Sequence, residues 1–451
     1  MTDQLDLVIH ADRAVLPDGE AAVTVGVRGG VIVSVQGPAP ELTADRVVTL
    51  GPDEVLLPGL VDAHVHINDP GRSEWEGFRT ATRAAAAGGV TTVIDMPLNS
   101  IPPTVDVAAL EVKQQTAAGK TFVDVGFWGG AVPGNTADLR PLHEAGVFGF
   151  KCFLLHSGVD EFPALQGAEL ETDLTELAGL DAMMIIHAED AESIDRAPAT
   201  DGGRYQAFLE SRPRGAENLA IAEVIELARW TGARVHILHL SSADALPMIR
   251  SARRDGVRIT VETCPHYLTF AAEEIPDGAT QFKCCPPIRE SANRDELWAA
   301  LQDGTIACIV SDHSPCTPEL KRFDVGDFGL AWGGISSLQL GISAIWTQAR
   351  ERGIPLTDVV RWMAQAPAEH AGLTTKGRIA EGGAADFAVF APEDTFTVDP
   401  AELFHRNAIT PYAGRTLTGR VRSTYLAGRD ISVDITTDGG RHGRLLRRGE
   451  A

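Results

Sequence analysis

The chain has 451 residues, 44% of them hydrophobic and 22% charged, an ordinary balance for a soluble protein. A single core rarely grows beyond about 250–300 residues, so a large domain plus something smaller is expected. The formal net charge of −23 argues against nucleic acid and anionic membrane surfaces as partners, because both need clustered Lys and Arg.

The N-terminus, MTDQLDLVIHADRAVLPDG, is interrupted early by acidic and polar residues and does not read as a signal peptide. No stretch approaches the ~20 uninterrupted apolar residues of a membrane span. From there DLVIHADRAVL, AVTVGVRGGVIVSVQG and RVVTLG alternate apolar and polar residues between turn signals, a short-strand pattern. The far end reads the same way in DFAVFAPE, FTVDP and RVRSTYLAGR. Chain termini often lie close together, so both ends are expected to build one small β-sandwich, from residues 1–57 and 381–451.

The middle, 58–380, alternates short apolar runs with helical stretches. The strand candidates in order are 60–66, 90–96, 122–128, 147–153, 182–188, 234–240, 258–264 and 305–311. EWEGFRTATRAAAAGG, AENLAIAEVIELARWTG and NRDELWAALQDG lie between them, and each ends in Gly, the usual helix stop. Eight strand–helix repeats predict an α/β fold, a (β/α)8 TIM-like barrel. An open doubly wound sheet competes, but no GxGxxG follows the first strand.

Polar residues fall at the ends of these strands. His64 and His66 are two apart in LVDAHVH and share a face, so both imidazoles can converge on one point. Lys151 sits inside VFGFKCFLL, an apolar run where lysine needs compensation. His187 closes MMIIHA and His239 closes RVHILHL; His236, three residues before His239, is expected to face the other way. Asp312 follows CIVS. Each has a bland reading alone, as a surface or core side chain. Together they lie at the C-terminal ends of the strands, the active-site face of a barrel. Ser311, Asp312 and His313 are consecutive, so they cannot form a working triad by themselves.

This set points to a two-metal site. Divalent cations repel an ammonium, and such a site depresses an amine pKa strongly. A neutral Lys151 can add carbon dioxide and become N6-carboxylysine, an anionic two-oxygen bridge. His64, His66 and Asp312 would hold one metal, and His187 and His239 the other. Two metals about 3.5–4 Å apart can share a hydroxide at neutral pH. Zinc suits histidine with carboxylate, as do iron, cobalt and manganese.

Six cysteines are spread along the chain without a CxxC pair. Cys284 and Cys285 are adjacent and poorly placed to bridge each other, and Cys152, Cys264 and Cys308 sit in apolar runs. All six read as reduced, in a cytoplasmic protein.

HxH, a strand lysine, two later strand-end histidines and a final Asp resemble the cyclic amidohydrolases, which include dihydroorotases, hydantoinases and allantoinases. GRSEWEGFRTATRAAAAGGVTTVIDMPLNS, GFKCFLLHSGVDEFP, CPHYLTF, KCCPPIR, VSDHSPCTPELK and AWGGISSLQ are similar to the allantoinase branch. The resemblance covers nearly the whole chain. It implies opening of the hydantoin ring of allantoin to allantoate in purine degradation, and a homo-oligomer, a tetramer as is common in this family. Dihydroorotases usually carry Arg where this chain has Asn68, to pair with a substrate carboxylate; neutral allantoin needs no such partner. MPLN (96–99) stands where dihydroorotases tend to read MPNT, and Cys285 where the family often has Ser. Asp312 is expected to carry the proton. Backbone around Cys285 and Gly333, with Trp332 beside them, is expected to hold the substrate, and HSGVDEFP (156–163) to contact the ureido tail or act as a lid. A hydantoinase or dihydropyrimidinase of broad specificity is the alternative. A scaffold protein like the metal-free relatives of dihydropyrimidinase should have lost ligands, and all six are present here.

Overall fold

A computed structural model describes residues 4–200 and 202–450; residues 1–3 and 451, at the outer tips of the two expected β segments, and residue 201 lie outside the described residues. Every segment expected as a barrel strand contains one. The strands are Leu60–Val65, Val90–Asp95, Asp124–Phe127 (resuming at Gly129–Gly130), Phe150–Phe153, Met183–His187, Arg234–Ile237, Ile259–Thr263 and Cys308–Ile309. Neighbours pair in parallel, in two arcs. The arcs join where the Phe148 N–H donates to the Phe127 carbonyl (3.0 Å), and the ring closes where the His66 N–H donates to the His313 carbonyl (2.8 Å). A strand buried on both faces needs apolar residues at every position, which is why these strands read as continuous runs rather than alternations.

The helices between them cover the barrel. Arg214–Thr231 ends at Gly232, whose φ of 72° gives the left-handed turn that a Cβ would disfavour. Phe78–Ala87 packs one face of Phe78, Ala81, Thr82, Ala84, Ala85 and Ala86 inward.

The chain ends meet in one eight-stranded mixed sheet. Phe387–Thr397 pairs antiparallel with Val55–Pro58 and with Thr416–Leu426; Leu5–Leu16 pairs with Gly19–Arg28, which pairs with Val31–Gln36. The sheet has its own core around Ile9, Val25, Leu56, Phe387 and Val389. The extreme C-terminal segment takes another course and returns to the barrel. The Val125 N–H donates to the Arg444 carbonyl (2.9 Å) and the Leu446 N–H to the Val125 carbonyl (2.8 Å). Lys376 ties the two parts together, 2.7 Å from Asp124 on the third barrel strand and 2.5 Å from Asp386 at the start of a sheet strand. Among the described residues no helix is long and apolar enough to cross a membrane. The six cysteines are all free thiols, and Cys152, Cys264 and Cys308 are buried.

Candidate metal centre

The strand ends bring the six predicted residues to one mouth of the barrel. Register explains how. Lys151 pairs with Ile185 and Phe153 with His187, so Lys151, Phe153 and His187 face the same side. The Lys151 ammonium lies 4.6 Å from the centre of the Phe153 ring, and the His187 ring stacks on that ring at 4.6 Å. His187 and His239 meet edge to face at 4.6 Å, and His239 and His64 lie 5.4 Å apart. Asp312 Oδ1 is 3.1 Å from His64 Nε2 and 3.7 Å from His66 Nε2. His239 and Asp312 sit just past their strands with φ of 35° and 44°, left-handed conformations that cost side-chain-bearing residues of order 1–3 kcal/mol and cluster at functional sites.

A cleft of about 560 Å³ opens above them, of the size that small-molecule sites occupy. His66, Lys151, His187, His239 and Asp312 line it, while His64 is fully buried beneath. Cys285, Trp332 and Gly333 line the same cleft, as do His156, Ser157 and Gly158 of the expected lid segment. A Cβ on Gly333 would stand 3.6 Å from Cys285 Sγ, so these two form one wall. Trp332 meets Trp75 edge-on at 5.0 Å. Asn68 is buried and turns its amide toward the Pro315 carbonyl (3.4 Å) rather than lining the cleft.

The electrostatics suit a bound cation. Histidine and carboxylate donor atoms of His64, His239 and Asp312 all lie within 4.8 Å of one another. His239 Nδ1 is buried with no hydrogen-bond partner, a costly state that a ligand would relieve. Burial pushes the His239 and His66 rings well below the ordinary histidine value, which favours the neutral form that binds metal. Burial opposes charge on His64 too, but Asp312 and Glu262 outweigh it and raise that ring to about 9. Burial pushes the Lys151 amine down to about 8, and among the described residues it has no ion pair. Asp312 is held well below the usual carboxylate range, because the His64, His239 and His66 rings outweigh its burial.

Carboxylates behind the histidines fix their rings. Glu262 Oε1 accepts from His64 Nδ1 at 2.5 Å, leaving His64 Nε2 toward the centre. Glu189 Oε2 accepts from His187 Nε2 at 2.8 Å and from Arg212 Nη1 at 2.5 Å. Sequence reasoning did not recruit these residues. The signal for Glu262 was an acidic side chain inside the apolar run RITVETC, and for Glu189 its place two residues after His187; for Arg212 only the folded chain supplies the partner. The expectation for His236 is corrected. It points inward, with Nε2 3.1 Å from Glu262 Oε2, against the same carboxylate that holds His64. Its strand stops at Ile237 and His239 turns left-handed, so alternation does not carry across those three residues.

The chain also has close relatives. The Amidohydrolase family model matches residues 55–431. An allantoinase from Streptomyces avermitilis is 58% identical over 431 residues, covering 95% of this chain and 96% of that one. Allantoinases from Saccharomyces cerevisiae and Arabidopsis thaliana are 49% and 44% identical, covering 83% and 93% of this chain and 82% and 87% of theirs. Among solved structures, the L-hydantoinase (dihydropyrimidinase) from Arthrobacter aurescens superimposes with a TM-score of 0.89 at 27% identity, over 99% of this chain and 98% of that one. The dihydropyrimidinase from Brevibacillus agri gives 0.86 at 27% identity, over 98% of each chain.

Proposed function

The chain belongs to the amidohydrolase family, on its allantoinase branch, and from that premise we propose how its residues open the ring of allantoin to give allantoate. The observation that carries the proposal is the convergence of His64, His239 and Asp312 within 4.8 Å, beside Lys151, at the mouth of the barrel. Relatives named allantoinase reach 58% identity, whereas the hydantoinase structures lie at 27%, which favours allantoin over a broad hydantoin specificity.

In this reading His64, His66 and Asp312 would hold one divalent ion and His187 and His239 the other, with Lys151, as its carbamate, available to both. When bound, the two ions polarise a carbonyl and lower the pKa of water. Asp312 takes a proton from the attacking water and gives it to the leaving ring nitrogen, acting as base and then as acid. Water is consumed, the ring C–N bond breaks, and a carboxylate and a ureido nitrogen are released. Ser314 Oγ donates to Asp312 Oδ1 at 2.7 Å and orients it for both transfers. Backbone at Cys285 and Gly333 holds the imide edge, and Trp332 excludes water from that wall. Zinc is the proposed metal because histidine with carboxylate suits it. A cytoplasmic homotetramer is the proposed state.

Turnover on allantoin, hydantoin and dihydroorotate tests the assignment. Metal-replete protein is expected to prefer allantoin; its failure to hydrolyse allantoin would sink the reading.

A further inference from the structure

Two ion pairs, one half-buried at the cleft wall and one fully buried, stand behind one half of the centre. The first is Arg212–Glu189, whose shared oxygen Oε2 also takes the His187 ring. Burial opposes charge on Glu189, but the Arg212 guanidinium and the His187 bond outweigh it and hold the carboxyl at about 2. The second is Arg289–Glu217, at 2.7 Å, with both side chains about 2% exposed. Glu217 Oε1 accepts the N–H groups of Ser241 and Ser242, each at 3.0 Å. Those amides begin two residues after His239, in the turn that its left-handed φ starts. Ser241 Oγ anchors the same turn on the Pro287 carbonyl (2.6 Å).

The two pairs are joined. Arg289 Nη1 donates to the Arg212 carbonyl at 3.3 Å. A continuous path of polar contacts therefore runs from the His187 ring through Glu189, Arg212, Arg289 and Glu217 to the backbone that carries His239. His187 and Glu189 are two residues apart and Arg212 and Glu217 five, while Arg289 joins from far along the chain; helix Arg214–Thr231 brings Glu217 to the path on its first turn. His64 and His66 are held otherwise. His64 rests on Glu262 and Asp312, and His66 faces Asn99 Nδ2 at 3.5 Å; neither touches the two ion pairs, although Glu262 Oε1 also accepts the His239 N–H at 3.2 Å.

We propose that Arg289 and Arg212, through Glu217 and Glu189, are positioning residues that set the affinity of one metal position, the one offered by His187 and His239, independently of the other. The inference rests on the two-metal reading above. Arg289 is the junction, because its loss releases the His239 turn and the Arg212 backbone together. Removing Arg289 alone would leave Glu217 as an unpaired buried charge, which is strongly destabilising. The informative variant is Arg289→Met with Glu217→Gln, which removes both charges and leaves Glu189 and the ligands untouched.

The experiment titrates zinc chloride into metal-stripped protein, with bicarbonate present, and follows heat release and bound metal per chain. Wild-type protein is expected to take two equivalents. In the double variant one equivalent should weaken by about 10–100-fold, the range for lost outer contacts to metal ligands, while the other stays within roughly twofold. Should that variant not fold, Arg289→Lys keeps the charge without the two-pronged fork and should weaken the same single equivalent by a smaller factor. Equal weakening of both equivalents, or no change in either, overturns the proposal. Wild-type protein taking fewer than two equivalents overturns the two-metal reading itself, and this inference with it.

Discussion

Lys151 is the residue on which the proposed chemistry turns. It is 1% exposed, on a strand, with its ammonium 4.6 Å from the centre of the Phe153 ring and no ion pair among the described residues. A lysine in such a place is costly while charged, and burial brings its pKa from the ordinary 10.5 to about 8. The sign follows directly. Below about 8 the ammonium form dominates and cannot add carbon dioxide; above it the neutral amine dominates and can. Uptake of labelled bicarbonate by metal-stripped protein should therefore rise as pH increases through about 8, read by carbon-13 resonance. Lys151→Ala should lose metal and activity together and regain part of both with short carboxylic acids. Full activity in that variant would exclude the bridging role. The residue scale is also where the sequence was most and least informative. HxH and the strand-end histidines announced themselves by spacing. Glu262 did not, because its histidine partners stand on other strands, and Glu189, though two residues from His187, takes its charge partner Arg212 from a distant segment.

At the scale of elements, the site depends on two loops pressed together. The turn after Asp312 lies against the segment 333–334. A Cβ on Gly334 would fall 2.0 Å from the Ser314 carbonyl oxygen, and its φ of 133° is one that side-chain-bearing residues rarely adopt. Ser314 holds the Asp312 carboxylate, so displacement here passes to the proton carrier. Gly334→Ala is expected to lower kcat/KM on the order of 10²-fold, the effect of misplacing a reacting group by about 1 Å, with the folded content by circular dichroism kept. Unchanged kinetics would show that the loops move independently. Strands were legible because buried parallel strands need unbroken apolar runs, and helix ends because Gly marks them. The facing of His236 was not, since alternation holds only while the strand lasts, and this one ends at Ile237.

Across the whole molecule, the barrel and the terminal sheet are joined by buried charge. Lys376, Asp124 and Asp386 are each 3% exposed or less, and one ammonium serves two carboxylates from different parts of the fold. Lys376→Met would leave Asp386 without its ion partner and Asp124 with only the exposed Arg444, and should cost about 3–5 kcal/mol of stability, read as a lower urea midpoint. A change below about 1 kcal/mol would mean that water or Arg444 compensates. The sequence by itself determined the barrel, the joining of its ends in one sheet and the identity of the ligand candidates, because periodicity and strand-end placement are local properties of the chain. Tertiary structure alone decided what stands behind those ligands. Glu189 lies two residues from His187, but Glu262, Arg212, Arg289 and Glu217 reach their partners from distant parts of the chain, and their meeting depends on how the barrel closes rather than on local spacing.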